Sequence, residues 1–246
     1  MKAMIFAAGK GTRLHPLTDT MPKALVPVGG IPLLERVIRK LIEAGCNEII
    51  VNIHHFAGQI IAFLEEKQRF NIHIEVSDET DNLLDTGGGL VKASRFFDDN
   101  RPFIVHNVDI ISSIDLKNLY ACHTGSGAAA TLAVSSRKSS RYLLFDDNDR
   151  LQGWINESTG EQKPAGKELQ ISTLNKLAFS GIQVINPLLL PELRKQNGKF
   201  SIIDFYLRHM EQYRIEGVSQ ANETTIDVGK IDTFREADSF IRKAKL

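Results

Sequence analysis

Short apolar runs alternate with helix-patterned segments along the first third of the chain, and this alternation constrains the fold more than any other feature. Residues 2–8 form a continuous apolar run, residues 48–53 a β-branched run, and residues 72–76 alternate as a strand. Between them, Leu34, Val37, Ile38, Leu41 and Ile42 recur at helical spacing, with Pro32 near the start and Gly45 just past the end. Residues 59–67 repeat a helical pattern. A β-α-β-α-β order implies parallel strands joined by right-handed crossovers, and such sheets bind ligands beyond the carboxyl ends of their strands. Functional residues are therefore expected at strand ends.

The same rhythm predicts strands over residues 102–107, running into Asp109, and over 128–135. From 136 to 178 it changes to short alternating runs broken by Asp146-Asp147-Asn148-Asp149 and by a polar segment over 158–167, which predicts a β-rich insertion. A strand over 179–185 follows, then helices near 188–195 and 202–213, the segment Thr225-Ile226-Asp227-Val228-Gly229, and a last helix burying Ile231, Phe234, Ala237 and Ile241. The fold expected is α/β, with a central mixed, mostly parallel sheet flanked by helices. At 246 residues, with no linker or repeat, one domain over 1–246 is the expectation.

Thirty Lys and Arg balance thirty Asp and Glu, so no global field favours nucleic acid or an anionic membrane, and an anion site must come from local placement. No segment reaches membrane-spanning length. Cys46 and Cys122 have neither disulfide-framework nor metal-ligand spacing, and residues 1–9 lack a signal-peptide pattern, so the expected location is cytoplasmic.

The first strand delivers Ala7-Ala8-Gly9-Lys10-Gly11-Thr12-Arg13. Its glycines let backbone N–H groups approach a phosphate, and Arg13 adds a bidentate phosphate ligand. A dinucleotide fold wants a third glycine where Leu14 stands, and the Gly-Lys-Ser/Thr ending of an NTPase loop is absent. Taken alone, the loop also suits an ordinary glycine-rich turn. Further on, Pro22 and Pro27 bracket Lys23 in Pro22-Lys23-Ala24-Leu25-Val26-Pro27-Val28, fixing where an otherwise ordinary surface lysine points. Adjacent His54 and His55 in an extended chain point oppositely and make a poor metal site. The acidic run at 146–149 lacks the glycine and distal glutamate of a calcium loop.

Together, the glycine loop and the proline-flanked lysine resemble the N-terminal signature of sugar-1-phosphate nucleotidyltransferases. The order of later motifs is similar over nearly the whole chain: Asp85-Thr86-Gly87-Gly88-Gly89, Asn107-Val108-Asp109, Phe179-Ser180-Gly181 and Asp227-Val228-Gly229. The resemblance implies a Rossmann-like nucleotidyltransferase domain, nucleotide-binding over 1–135 and sugar-binding over 136–246 with the C-terminal helices. Its substrates would be a nucleoside triphosphate and a sugar 1-phosphate. It places the nucleotide on Ala7, Ala8, Gly9, Gly11, Thr12, Arg13, Thr86, Gly87, Gly88 and Asn107, and the sugar phosphate on Lys23, Ser180 and Gly181. Magnesium would be held by Asp109 and Asp227, with Arg13, Lys23 and Asp109 catalytic, and Lys163 is a further candidate for the sugar phosphate.

Two departures stand out: Val108 precedes Asp109 where many relatives have glycine, and no β-helix tail is expected to add regulation or acetyl transfer. The pattern is most similar to N-acetylmuramate-1-phosphate uridylyltransferases, with guanylyltransferases for mannose or heptose 1-phosphate as the alternative. Two readings of other kinds are a non-catalytic nucleotide-sugar-binding regulatory subunit and a transferase on choline phosphate. Retention of Arg13, Lys23, Asp109 and Asp227 speaks against the first, and the single tryptophan, Trp154, against an aromatic cage for the second.

Overall fold

The computed structural model describes residues 1–164, 170–219 and 223–244. Strand β1 (Lys2–Phe6) leads through a loop to a small hairpin, β2 (Pro27–Val28) and β3 (Ile31–Pro32), and then to α1 (Leu33–Glu43). Next come β4 (Glu48–Ile53), α2 (Ala57–Glu66), β5 (His73–Asp78), α3 (Asp85–Ala93), β6 (Phe103–Asn107) and β7 (Ile110–Ser112). After α4 (Leu116–Ser126) the chain turns to strands: β8 (Ala130–Ser135), β9 (Arg141–Phe145), β10 (Leu151–Asn156), β11 (Glu161–Lys163) and the long β12 (Asn175–Ile185). It finishes with α5 (Leu190–Arg194), α6 (Ile202–His209), β13 (Ile215–Ser219), β14 (Thr225–Asp227) and α7 (Ile231–Ala244). The expected β-rich insertion is present as β9, β10 and β11; residues 165–167 of its polar segment lie outside the described residues.

One large mixed sheet runs β11-β10-β9-β12-β6-β1-β4-β5, with β8 and β13 added beside β12. The quarter that the opening alternation predicted is parallel: β6, β1, β4 and β5 all point the same way, so their carboxyl ends line one edge. Beyond it, β12 runs antiparallel to β6, β8 and β9. Residues 175–177 of β12 pair with β9 while 178–185 pair with β8, so the sheet forks along this strand.

Side chains alternate across the sheet with period two. Ala3 and Ile5 of β1 and Ile49, Val51 and Ile53 of β4 face one side, where α1 inserts Leu34, Val37, Ile38 and Leu41 and α7 inserts Ala237 and Ile241. Met4 and Ile50 face the other, against Leu90 of α3 and Phe205 and Tyr206 of α6. Burying each large aliphatic of the α1 stripe contributes about 1.5–3 kcal/mol, and this packing fixes the helix more than its weak caps do. Where caps are strong they are side chains: Asp115 accepts from Lys117 N and Asn118 N at α4, and Ser201 from Ile203 N at α6.

The glycine run Gly87-Gly88-Gly89 lies inside α3, an unfavourable place for glycine unless something must come close. Something does. A Cβ on Gly87 would stand 2.2 Å from Phe200 Cε2, and one on Gly88 2.5 Å from the Gly198 carbonyl oxygen. Segment 198–202 crosses the helix start there, held by Phe200 N to Leu84 O (3.2 Å), Gly87 N to Phe200 O (2.8 Å) and Ile202 N to Thr86 Oγ1 (3.0 Å). Gly87→Ala is expected to destabilise the protein by about 1–3 kcal/mol through overpacking. Gly58→Ala, at a helical position with open space, should be neutral or stabilising. Urea unfolding of both variants checks this, and an unchanged midpoint for Gly87→Ala would mean that Phe200 yields freely.

Candidate active site

Two cavities meet at the carboxyl edge of the parallel strands. The smaller, about 470 Å³, is lined by the loop after β1, by the start of α3 and by the end of β6. The larger, about 880 Å³, reaches over the insertion and β12. Their shared wall comprises Phe6, Arg13, Asp85, Thr86, Asn107 and Asp109, so the two halves form one cleft with Arg13 and Asp109 at the junction.

The loop after β1 is shaped by backbone contacts. Ala7 N and Ala8 N donate to Asn52 Oδ1 at 2.7 and 3.2 Å, and Val108 N donates to Phe6 O at 3.1 Å, tying the loop to β4 and to the end of β6. Gly11 has φ +67°, which glycine adopts without strain, and starts the short turn Thr12–Leu14. Leu14 is fully buried, which accounts for a leucine where a dinucleotide fold has glycine. The Asn52 amide nitrogen donates to Glu79 Oε1 at 2.8 Å, and Glu79 Oε2 accepts from Leu84 N at 3.1 Å. Through Asn52 and Glu79, the two sides of the smaller cavity are fixed to each other.

Asp109, just before β7, and Asp227, at the end of β14, are far apart in sequence and lie side by side. β7 pairs antiparallel with β14, placing Ile110 opposite Asp227, and Val228 N donates to Asp109 O at 2.8 Å. Lys23 Nζ binds Asp109 Oδ2 at 2.5 Å with its side chain almost wholly buried. Asp227 opens into the cavity yet is ringed by protein. Loss of hydration first, and then the charge of Asp109, push its pKa above the ordinary carboxylate value, against the opposing pull of Lys23, Arg13 and Arg137. A Cβ on Gly229 would meet Asp227 Oδ1 at 2.7 Å and Arg13 Nη2 at 3.0 Å, so the bare backbone of Gly229 lets Arg13 approach this carboxylate.

Two neighbouring hard oxygen donors, one of them open to the cavity and repelled by the other, fit a divalent cation that takes its remaining ligands from phosphate and water. Among the described residues, no group of three or more His, Cys, Asp and Glu gathers as a metal site. No described helix is long and apolar enough to cross a membrane.

Ala8, Gly9, Gly11, Thr12, Arg13, Thr86 and Asn107 line the smaller cavity. Ala7 sits beneath it, presenting its N–H to Asn52. Gly87 and Gly88 face Phe200 and Gly198, so their lack of side chains serves the helix crossing. Lys23 lines the smaller cavity, beside Asp109, and does not border the larger one. Gly181 lines the larger cavity, at φ +71° in a bulge of β12, while the neighbouring Ser180 is buried and its hydroxyl has no hydrogen-bond partner among the described residues. Lys163 also lines the larger cavity, 2.9 Å from Asp204 Oδ1 and over the Trp154 ring.

Asn52, Glu79, Asp85 and Arg137 are cleft residues that sequence reasoning passed over. Asn52 carried one signal, a polar residue within a β-branched run. Asp85 carries a backbone signal instead: φ +61°, the left-handed region rarely occupied by residues other than glycine, in the wall shared by both cavities.

The chain belongs to the nucleotidyl transferase family, whose model matches residues 2–244. It is 34% identical over 203 residues to UTP–glucose-1-phosphate uridylyltransferase of Synechocystis, covering 76% of this chain and 49% of that protein. With N-acetylmuramate alpha-1-phosphate uridylyltransferase of Neisseria meningitidis it shares 30% identity over 240 residues, 97% of each chain. Mannose-1-phosphate guanyltransferases of fungi, rice and fruit fly match at 30% to 37% identity, the chain spanning 37% to 59% of their length. Its fold superposes on that of HddC from Yersinia pseudotuberculosis, solved with GMP-PN, with TM-score 0.76 and 20% identity, covering 98% of this chain and 99% of that one.

Proposed function

We propose that the protein joins a sugar 1-phosphate to a nucleoside triphosphate, giving a nucleotide sugar and pyrophosphate, and that the pair it uses is UTP and N-acetylmuramate 1-phosphate. The observation that carries the reaction class is the continuous cleft: two cavities sharing Arg13 and Asp109, with Asp227 alongside. The choice of pair rests on the end-to-end match with the Neisseria protein, set against glucose- and mannose-1-phosphate transferases of which the chain spans 37% to 59%. In this reading residues 1–135 supply most of the nucleotide side and 136–246 most of the sugar side.

The attacking oxygen of a sugar phosphate is ionised at neutral pH, so the chemistry needs no side-chain base. It forms a bond to the α-phosphorus while the bond to the bridging oxygen breaks, and the electron pair leaves with pyrophosphate. What the protein must do is bring two polyanions together in line and stabilise the charge that grows on the departing group. Arg13 reaches the triphosphate at the junction, and Lys23 holds Asp109 in position. Asp109 and Asp227 would hold magnesium, which when bound offsets charge on the phosphates.

A pyrophosphate-release screen crossing four nucleoside triphosphates with N-acetylmuramate, glucose, mannose and heptose 1-phosphates tests this. Release is expected to be fastest with UTP and N-acetylmuramate 1-phosphate. GTP with mannose or heptose 1-phosphate as the best pair would replace the substrates and keep the reaction. Silence with every pair, together with tight binding of a nucleotide sugar, would favour the non-catalytic regulatory reading.

A further inference from the structure

No motif points to Arg137, which lies just past the end of β8 where β12 bulges against it. Across the bulge, Phe179 pairs with Val134 but Gln183 pairs with Leu132, so β12 carries extra residues between these points. Arg137 Nη2 donates to the Phe179 carbonyl at 3.0 Å, which anchors one arm of the guanidinium to the floor of the larger cavity. Its Nε is buried and has no hydrogen-bond partner among the described residues. A buried N–H with no acceptor is unfavourable, and guanidinium donors match phosphate oxygens in geometry and charge.

Two lysines of the cleft are engaged differently. Lys163 is paired with Asp204 and lies over Trp154, and Lys23 is paired with Asp109 on the nucleotide side. Arg13 belongs to both cavities, whereas Arg137, Arg141 and Lys230 border only the larger one, where Arg137 has one arm of its guanidinium anchored to Phe179 O, beside Gly181 and Asp227. A sugar phosphate entering there brings negative charge toward two carboxylates, and an anchored guanidinium beside them offsets that repulsion where the attacking oxygen must sit.

We propose that Arg137 binds the phosphate group of the sugar 1-phosphate, its anchored guanidinium donating to a non-attacking oxygen so that another oxygen faces the α-phosphorus. This rests on the nucleotidyl-transfer reading above. Arg137→Gln is expected to raise KM for N-acetylmuramate 1-phosphate roughly ten- to hundredfold, the scale of one lost charge-assisted hydrogen bond, with KM for UTP nearly unchanged. Arg137→Lys keeps the charge without the fork and should recover only part of the affinity.

Steady-state kinetics with each substrate varied in turn reads the split, and the unchanged UTP constant reports an intact nucleotide side. If the glutamine variant does not fold, the lysine variant carries the same comparison. Equal rises in both constants, or no rise in either, would overturn the assignment. A wild-type protein that turns over glucose 1-phosphate instead moves the measurement to that substrate with the same expected split. Turnover of no sugar 1-phosphate by the wild type would end the functional reading and this inference with it, whereas turnover unaffected by Arg137→Gln ends the inference alone.

Discussion

Arg13→Ala is expected to lower kcat by about a hundredfold or more while leaving the fold intact, the scale for removing one preorganised group that stabilises charge in the transition state. The expectation comes from position. Arg13 sits in the middle of a tight turn that Gly11 starts, and it borders both cavities at the place where they join. Gly229 leaves it room to approach Asp227, so its guanidinium stands where negative charge would shift from one phosphate to the next. The protein core does not depend on it, since the buried residue of that turn is Leu14. Turnover and thermal unfolding measured on the same preparation check both halves. Near-native turnover would remove Arg13 from the mechanism.

Asp109→Asn and Asp227→Asn should each cut turnover by about a hundred- to a thousandfold, and chelation should abolish activity reversibly. Asp227 adds a signature that a merely structural residue would not give. Its folded pKa is raised, so between the ordinary carboxylate value and the raised one the folded protein holds a proton that the unfolded chain has released. The stability linked to this group is therefore greatest at low pH and falls as pH rises through that window. At neutral pH the charged side chain is a net burden on the metal-free fold. Asp227→Asn should accordingly match or exceed the wild-type Tm at pH 7 in chelator, with the difference vanishing below about pH 4. An inactive variant that is at least as stable places the loss in chemistry; an Asn variant that is active, or less stable at pH 7, would break the argument.

The parts of the fold legible in the sequence were those governed by local periodicity. Residues 48–53 were predicted as a strand and form one with the same bounds, and the stripe Leu34, Val37, Ile38 and Leu41 is the buried face of α1. The second half was less legible because its strands are set by pairing across the sheet. β12 extends back to Asn175, since β9 offers it a partner there, and nothing in its local pattern announces that. Helix α6 stops at His209, short of the predicted 213, and the chain continues as a turn in which Gln212 N and Tyr213 N both donate to His209 O.

In the cleft, residues with special backbone roles or charge in a motif could be picked out, as Gly11, Arg13 and Asp109 were. Roles that depend on a distant partner could not. Asn52 matters because it reaches the backbone of residues 7 and 8, and Gly87 because Phe200 crosses it. Neither relation leaves a trace in the neighbouring sequence.

The pairing of β7 with β14 gives the site a history as well as a shape. During synthesis at roughly 5–20 residues per second, on the order of ten seconds separates the emergence of Asp109 from that of Asp227. In that interval the parallel strands and the loop bearing Arg13 are already out, with Lys23 available to neutralise Asp109. A nascent chain could then collapse around a quiet ion pair, and the second carboxylate would join only when the last strand docks. Asp227 thereby comes beside Asp109 only after residues 1–227 have been translated.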